Sequence, residues 1–308
     1  MSNHRNAALF VILGALWGGA YPAIKVRLDA IPPVLYVAVR YDIASLIMLG
    51  YIVVAVDYWY PRSRADWINA TIGGVLIIGA YNAFLFLGET IVPSAVAGIL
   101  VGLMPIFTTL FSRLFLPSEE FDLAGLVGVA LGFFGVLIIS RPDPSNLLTA
   151  EVVGQLFVLV AATSMALGSV LTERYEATQP AITMETWSML LGAIFLHIAV
   201  FAQPDVAIDS ARWTDTVLAM VLYLSVFSSA VAYFIYFYLL EQLGPFEMNF
   251  IAYAAAAFSA LFGWVLLSEG ITIATIVGYV VILGGFVLLK RDRIRSELGS
   301  SPTPQTSD

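Results

Sequence analysis

Cysteine is absent from this chain and histidine nearly so: there is no Cys, and the two histidines are His4 and His197. No disulfide, thiolate zinc site or cysteine nucleophile is therefore available, and the histidines lie too far apart in sequence to make a local metal motif. Charge is scarce as well. Asp, Glu, Lys and Arg make up 12% of the chain and hydrophobic residues 60%, where soluble globular proteins run at about 25% and 45–50%. The balance is acidic, 22 acids to 14 bases for a net charge of −8, which excludes the basic footprint of a nucleic-acid binder. The length of 308 residues would allow two soluble domains, but a soluble fold this apolar has too few polar groups to cover its surface. The composition points to an all-α polytopic membrane protein.

A helix needs about 20 apolar residues to cross a bilayer. Stretches free of Asp, Glu, Lys and Arg run over 7–24, 67–88, 90–112, 123–140, 152–172, 186–204, 216–240, 248–268 and 270–289, and a tenth, 33–56, is interrupted only by Arg40 and Asp42. Ten such spans use about 200 residues and leave no room for a soluble domain. The first run contains Trp17, Gly18, Gly19 and Pro22 and lacks a small-x-small cleavage site leading into a soluble domain, so it reads as a span and not as a signal peptide. The polar Ser/Pro-rich segment 293–308 reads as a disordered tail. Loop cations set orientation. Nine of them (Arg5, Arg62, Arg64, Arg113, Arg174, Lys290, Arg291, Arg293, Arg295) fall on the side of the N-terminus and four (Lys25, Arg27, Arg141, Arg212) on the other. This predicts both termini in the cytoplasm and the chain in the cytoplasmic membrane, with the lipid bilayer as its first partner.

The chain also repeats itself. Glu89-Thr90-Ile91-Val92-Pro93 reads against Glu241-Gln242-Leu243-Gly244-Pro245, and Tyr81 against Tyr233, at an offset of 152. Ser118-Glu119 then pairs with Ser268-Glu269, Gly128 with Gly278 and Gly135 with Gly285 at an offset of 150. Each half holds five spans, and an odd number inverts the second copy relative to the first. This layout is common among secondary transporters, whose substrate sites lie near the midplane between the halves. The expected units are residues 1–145 and 146–292, followed by the 293–308 tail.

Several of these residues resemble a known repeat. Ala15-Leu16-Trp17-Gly18-Gly19, then Pro33 and Arg40, then Pro93 and Pro105, then Glu119 and a Gly-rich fifth span are similar to the EamA-type repeat of the drug/metabolite transporter superfamily. The second half follows through Pro245, Ser268-Glu269, Gly278 and Gly285, so the resemblance runs over about residues 7–290. Ala257 stands where the repeat would place a second Pro105, and Trp187 where it would place a second Arg40. The resemblance implies a ten-helix carrier of small metabolites, often an exporter, with a central cavity lined by helices 1, 3, 4, 6, 8 and 9.

Candidate substrate-binding residues follow from depth and chemistry. Trp17 lies about 15 Å into its span, away from the interface where Trp usually sits, and Pro22 frees a backbone carbonyl one turn back. Trp17 and Tyr21 are therefore read as a cavity wall, with a Gly14-x-x-x-Gly18 helix contact as the competing use. Pro105 breaks the fourth span within a small, polar stripe (Ser94, Gly98, Val101, Thr108, Ser112) suited to a cavity wall or a helix crossing. Tyr81 and Asn82, Tyr233 and Tyr236, and Asn249 and Tyr253 add hydroxyls, amides and rings, which suits an amphipathic or zwitterionic solute. Arg40 and Asp42 are charges inside a span and mark function; two apart, they do not share a helix face, and they are read as taking part in gating or structural ion pairs, with an anionic substrate group as the other partner open to Arg40. Glu89, Glu241, Glu247 and Glu269 are read as solvated helix ends, with a proton carrier as the competing use, and His197 as a core contact, with a proton relay as its alternative. The Gly stripe at 125, 128, 132 and 135 is read as a packing scaffold, with monomer and homodimer both open.

The function that fits is a secondary transporter moving a small organic metabolite, such as an amino acid or similar amphipathic solute, by alternating access and in the export direction. No GxxxxGK[ST] loop occurs, so ATP is not its direct driver. No cofactor, metal or nucleic-acid partner is expected. The rival reading is a membrane-embedded enzyme acting on a lipid or apolar substrate. It needs a buried acid pair, a His-rich metal site or a Ser/His pair at depth, and the sequence has no HExxH.

Overall fold

The computed structural model describes residues 2–26, 30–115, 123–140, 149–175, 177–202, 211–248, 250–289 and 291, and every regular element among them is helical. The main helices are α1 (His4–Lys25), α2 (Pro33–Ala55), α3 (Arg64–Glu89), α4 (Ser94–Phe115), α5 (Leu126–Ser140), α6 (Ala150–Arg174), α7 (Ala181–Phe201), α8 (Asp215–Leu243), α9 (Ile251–Leu267) and α10 (Ile273–Leu289). Seven are long and apolar enough to cross a membrane; α5, α9 and α10 are apolar but shorter. Each uncharged stretch read from the sequence overlaps one of them. The 145/146 boundary and the 293–308 tail lie outside the described residues.

Helices form here because apolar surroundings offer the backbone no water, so each segment must satisfy its own N–H and C=O groups. Their starts are marked locally. Pro93 precedes α4, Thr149 and Thr214 accept backbone N–H bonds at the heads of α6 and α8, and Ser63 and Asp66 cap α3 reciprocally. Large apolar side chains point outward along the helices, with Val54 87% exposed and Ile273 79%. Such surface suits lipid and not water.

The helices pack in a self-similar pattern. α5 packs on α10, α2 on α7, and α4 on α9; α3 lies on α6 as α1 lies on α8, and α6 on α4 as α1 on α9. Advancing the labels by five, with α10 followed by α1, exchanges the α3–α6 and α1–α8 pairs and the α4–α6 and α1–α9 pairs. The α5–α10 crossing shows this at the residue level. A Cβ on Gly128 would sit 2.6 Å from the Gly285 carbonyl oxygen, and one on Gly135 would sit 2.7 Å from that of Gly278. The packing-scaffold reading of the Gly-rich fifth span is thereby realised at Gly128 and Gly135.

Regular helix breaks at corresponding places as well. α3 widens to i→i+5 turns over Gly73–Ala80 and α8 over Tyr223–Val231, and such turns often accompany functional sites. α4 tightens at Gly102 and Leu103, where Leu103 N–H bonds to Leu100 at 3.1 Å just before Pro105. α1 is interrupted at Gly19. Gly18 there meets α9 so closely that a Cβ would lie 2.4 Å from Phe258 Cβ. The Gly14/Gly18 helix contact and the Trp17 cavity wall therefore coexist on two faces of one helix.

Candidate functional site: a central cavity

The widened turn of α3 ends at Tyr81 and that of α8 just before Tyr233, and these tyrosines face one cavity from two sides. α1 contributes Trp17, Tyr21 and Ile24 to the wall; α3 adds Asn82 and Leu85. α2 contributes Arg40 and Tyr41, and α8 contributes Ser228. Val101 and Met104 come from either side of the α4 break, Met165 from α6, and Ile251, Ala252 and Ala255 from α9. The helices on this list are α1, α3, α4, α6, α8 and α9, as the sequence resemblance implies, with α2 in addition. The space between atoms, its open mouth included, is about 710 Å³.

The cavity has a direction. On α1 the half-buried Trp17 precedes the buried Tyr21 and Ile24; on α3 the half-buried Tyr81 precedes the buried Asn82 and Leu85. On α4 and α8, which run the other way, the buried Val101 and Ser228 precede the half-buried Met104 and Tyr233. All four helices place the accessible residue toward the end where the N-terminus lies. The half-buried lining lies on that side, and the buried lining marks the other, closed end.

The closed end is polar. Lys25 Nζ lies 2.6 Å from Glu269 Oε1, and Glu269 also accepts the Ser94 backbone N–H at 2.8 Å and its hydroxyl at 3.3 Å. One carboxylate thus ties the end of α1 to the head of α4 from just beyond α9. Ser259 adds a hydroxyl bond to the Ser94 carbonyl at 2.6 Å. Glu89 ends α3 nearby, is fully buried, and neither carboxylate oxygen has a hydrogen-bond partner. The reading of Glu89 and Glu269 as solvated helix ends is corrected by this packing, since neighbouring helices cover the ends.

Other sequence candidates are placed apart. Tyr236 packs against Trp17 in a tilted arrangement with ring centroids 5.5 Å apart and is not among the lining residues. Tyr253 is buried against Phe286 at 4.9 Å, away from the cavity, and its hydroxyl is unpartnered. Pro105 is buried behind Met104 and does not line the cavity. In the stripe it belongs to, Gly98 faces Ser259 at 2.9 Å from an added Cβ, so that part serves a helix crossing. Asn249 lies outside the described residues.

Arg40 and Asp42 do not pair with each other, because two residues along a helix diverge by about 200°. Arg40 turns inward and donates from Nε to Ser229 Oγ at 3.1 Å. Asp42 turns to α7 and meets His197 Nε2 at 2.9 Å. The core reading of His197 is corrected accordingly: it is half-buried and partners an acid. Sequence reasoning missed Glu185, which is buried on α7 beside the Tyr233 hydroxyl.

Comparison with known proteins follows this geometry. The EamA-like transporter family model matches twice, over residues 5–141 and 152–291. The chain belongs to the EamA-like transporter family, and it is a multi-pass membrane protein. It is 27% identical over 274 residues to a protein named uncharacterized transporter YoaV from Bacillus subtilis, covering 89% of this chain and 92% of that one. An uncharacterized transporter of Archaeoglobus fulgidus is 28% identical, with 90% and 95% covered. The uncharacterized inner membrane transporter YedA of Escherichia coli K12 is also 28% identical, with 83% and 80% covered. A solved crystal structure shares the fold with a TM-score of 0.63 at 20% identity, covering 96% of this chain and 99% of that one.

Proposed function

We propose that this chain is a secondary transporter that carries a small organic solute through the central cavity by alternating access, exporting it across the cytoplasmic membrane with both termini in the cytoplasm. The observation that carries the reading is a cavity walled by both halves of the chain, with half-buried lining residues toward the N-terminal side and the Lys25–Glu269–Ser94 cluster at the other end. The architecture proposed is ten spans in two inverted repeats, 1–145 and 146–292. Its support is the double family match, the five-step self-similarity of the packing, and the reciprocal Gly128–Gly285 and Gly135–Gly278 contacts.

The wall chemistry suits an amphipathic cargo such as an amino acid. Trp17, Tyr21 and Tyr233 offer faces to an apolar body while Asn82, Ser228 and Arg40 offer polar contacts. Opening the far end requires Lys25 and Glu269 to separate, and closing the near end brings the Trp17, Tyr81 and Tyr233 layer together. Membership of a transporter family, and relatives named as transporters, favour a carrier over the membrane-enzyme reading.

The test is metabolite profiling of cells and medium for an expression host carrying the wild-type chain or Trp17→Ala. The expected result is one solute class displaced between cells and medium by the wild type and restored by the mutant, with equal membrane insertion of both. Undiminished displacement by Trp17→Ala would place Trp17 outside the pathway.

A further inference from the structure

Among the described residues, one formal charge lines the cavity. Arg40 is 6% exposed, its guanidinium carbon lies 5.1 Å from the Tyr41 ring centroid, and its assigned hydrogen bond runs from Nε to Ser229. Among the described residues no carboxylate stands within ion-pair distance of it. Ser228, the neighbour of that acceptor, lines the same cavity, is 1% exposed, and leaves its hydroxyl without a partner. A buried cation with no carboxylate at ion-pair distance is costly, and so is a buried hydroxyl left unbonded. Both deficits lie on the wall of one cavity, and one ligand group relieves both: an anion. An arginine has five N–H donors; with Nε engaged, the four on its terminal nitrogens remain for a planar, bidentate carboxylate.

We infer that the cargo is a monocarboxylate whose carboxyl group seats on the Arg40 guanidinium and the Ser228 hydroxyl. The inference rests on the carrier reading and narrows its substrate class. Charge balance favours a single negative charge over a phosphate dianion. Among the described residues Arg40 is the one cation on the wall, and its single positive charge balances one negative charge. Lys25, the other cation at the closed end, is already paired with Glu269. The rest of the solute is apolar, since Ile24, Leu85, Val101 and Met104 supply the surface beyond the polar spot. Amino acids and simple organic acids share the recognised group.

The experiment uses the full-length protein in lipid nanodiscs and measures ligand-dependent thermal stabilisation with matched probes. These are phenylalanine and leucine, their decarboxylated amines, their deaminated acids, and glucose 6-phosphate as the dianion. The expected result is binding by probes with a carboxylate and none by the amines, with apparent affinity about tenfold or more weaker in Arg40→Gln and partly kept in Arg40→Lys. Binding by both amino acids and deaminated acids makes the carboxylate sufficient; binding by amino acids alone adds an ammonium requirement to it. Amines binding as tightly as acids, glucose 6-phosphate binding alone, unchanged affinity in Arg40→Gln, or no binding by any probe overturns it. Should Arg40→Gln fail to yield monodisperse protein, Ser228→Ala is measured, and selective weakening of the carboxylate probes is required of it. Flux of the same probes in proteoliposomes separates the two readings. Arg40-dependent binding without flux sinks the carrier and leaves the subsite, whereas flux of amines untouched by Arg40→Gln keeps the carrier and sinks the subsite.

Discussion

The two ends of the molecule each hold a buried acid, and they treat it in opposite ways. On the N-terminal side Asp66 is fully buried, and its Oδ2 accepts the Tyr58 hydroxyl at 2.5 Å and the Arg62 and Ser63 N–H groups at 3.1 and 3.0 Å. Its Oδ1 accepts the Thr178 and Gln179 N–H groups at 3.1 and 3.3 Å. Gln179 returns a bond to the Asp66 carbonyl at 2.9 Å, and Thr183 bonds the Tyr58 carbonyl at 2.7 Å. Asp66 therefore knits the α2–α3 loop to the α6–α7 loop through backbone donors that nothing else satisfies. At the far end the bonds converge on Glu269, a single ion pair holds α1, and Glu89 has no partner. The saturated cluster reads as scaffold, and the sparse one as the end that opens.

Substitutions sharpen this contrast, beginning with the largest effect. Asp66→Ala leaves five donors without their acceptor and is expected to cost about 3–5 kcal/mol, since breaking a buried charged network is among the most damaging changes. Thermal unfolding of the purified protein in detergent checks it, and a change under about 1 kcal/mol would erase the distinction between the ends. Lys25→Ala acts at the far end, where the pair is 23% and 12% exposed. The exposure limits the loss to about 1–2 kcal/mol, while the balance of open and closed states shifts. A labelling assay with an impermeant reagent at a cysteine in place of Val92 is expected to show greater access in Lys25→Ala than in the parent. Glu89→Gln removes an acid that no donor serves, and its expected effect on stability is within about 1 kcal/mol of zero. A loss as large as that of Asp66→Ala would show that Glu89 has a partner and that the two ends are alike.

Much of this was legible beforehand, because lipid imposes long uncharged runs and the runs overlap the helices. The Gly128 and Gly135 stripe was readable since only glycine permits backbones to approach that closely. Trp17, Tyr21, Tyr81, Asn82, Tyr233 and Arg40 all line one cavity. Three features escaped for physical reasons. Spans delimited by their charges place every acid at an end by construction, so Glu89 looked solvated and Glu185 lay just outside a stretch, whereas neighbouring helices bury Glu89 at the end of α3 and α7 runs through Glu185. The partners of Arg40 and Asp42 depend on which faces α7 and α8 present, which is tertiary information. The wide turns of α3 and α8 leave no periodicity of their own.

The lack of native cysteine allows the central claim to be tested directly, because every thiol can be introduced by design. Lys25→Cys with Glu269→Cys is bridged by a short reducible crosslinker in proteoliposomes, and Tyr58→Cys with Thr178→Cys, whose hydroxyls lie 3.2 Å apart in the parent, is bridged as the scaffold control. Flux is measured for the solute that profiling identifies. The account predicts that the Lys25–Glu269 bridge stops flux and that reductant restores it, while the Tyr58–Thr178 bridge leaves flux intact. Flux that continues with the Lys25–Glu269 end locked would contradict it.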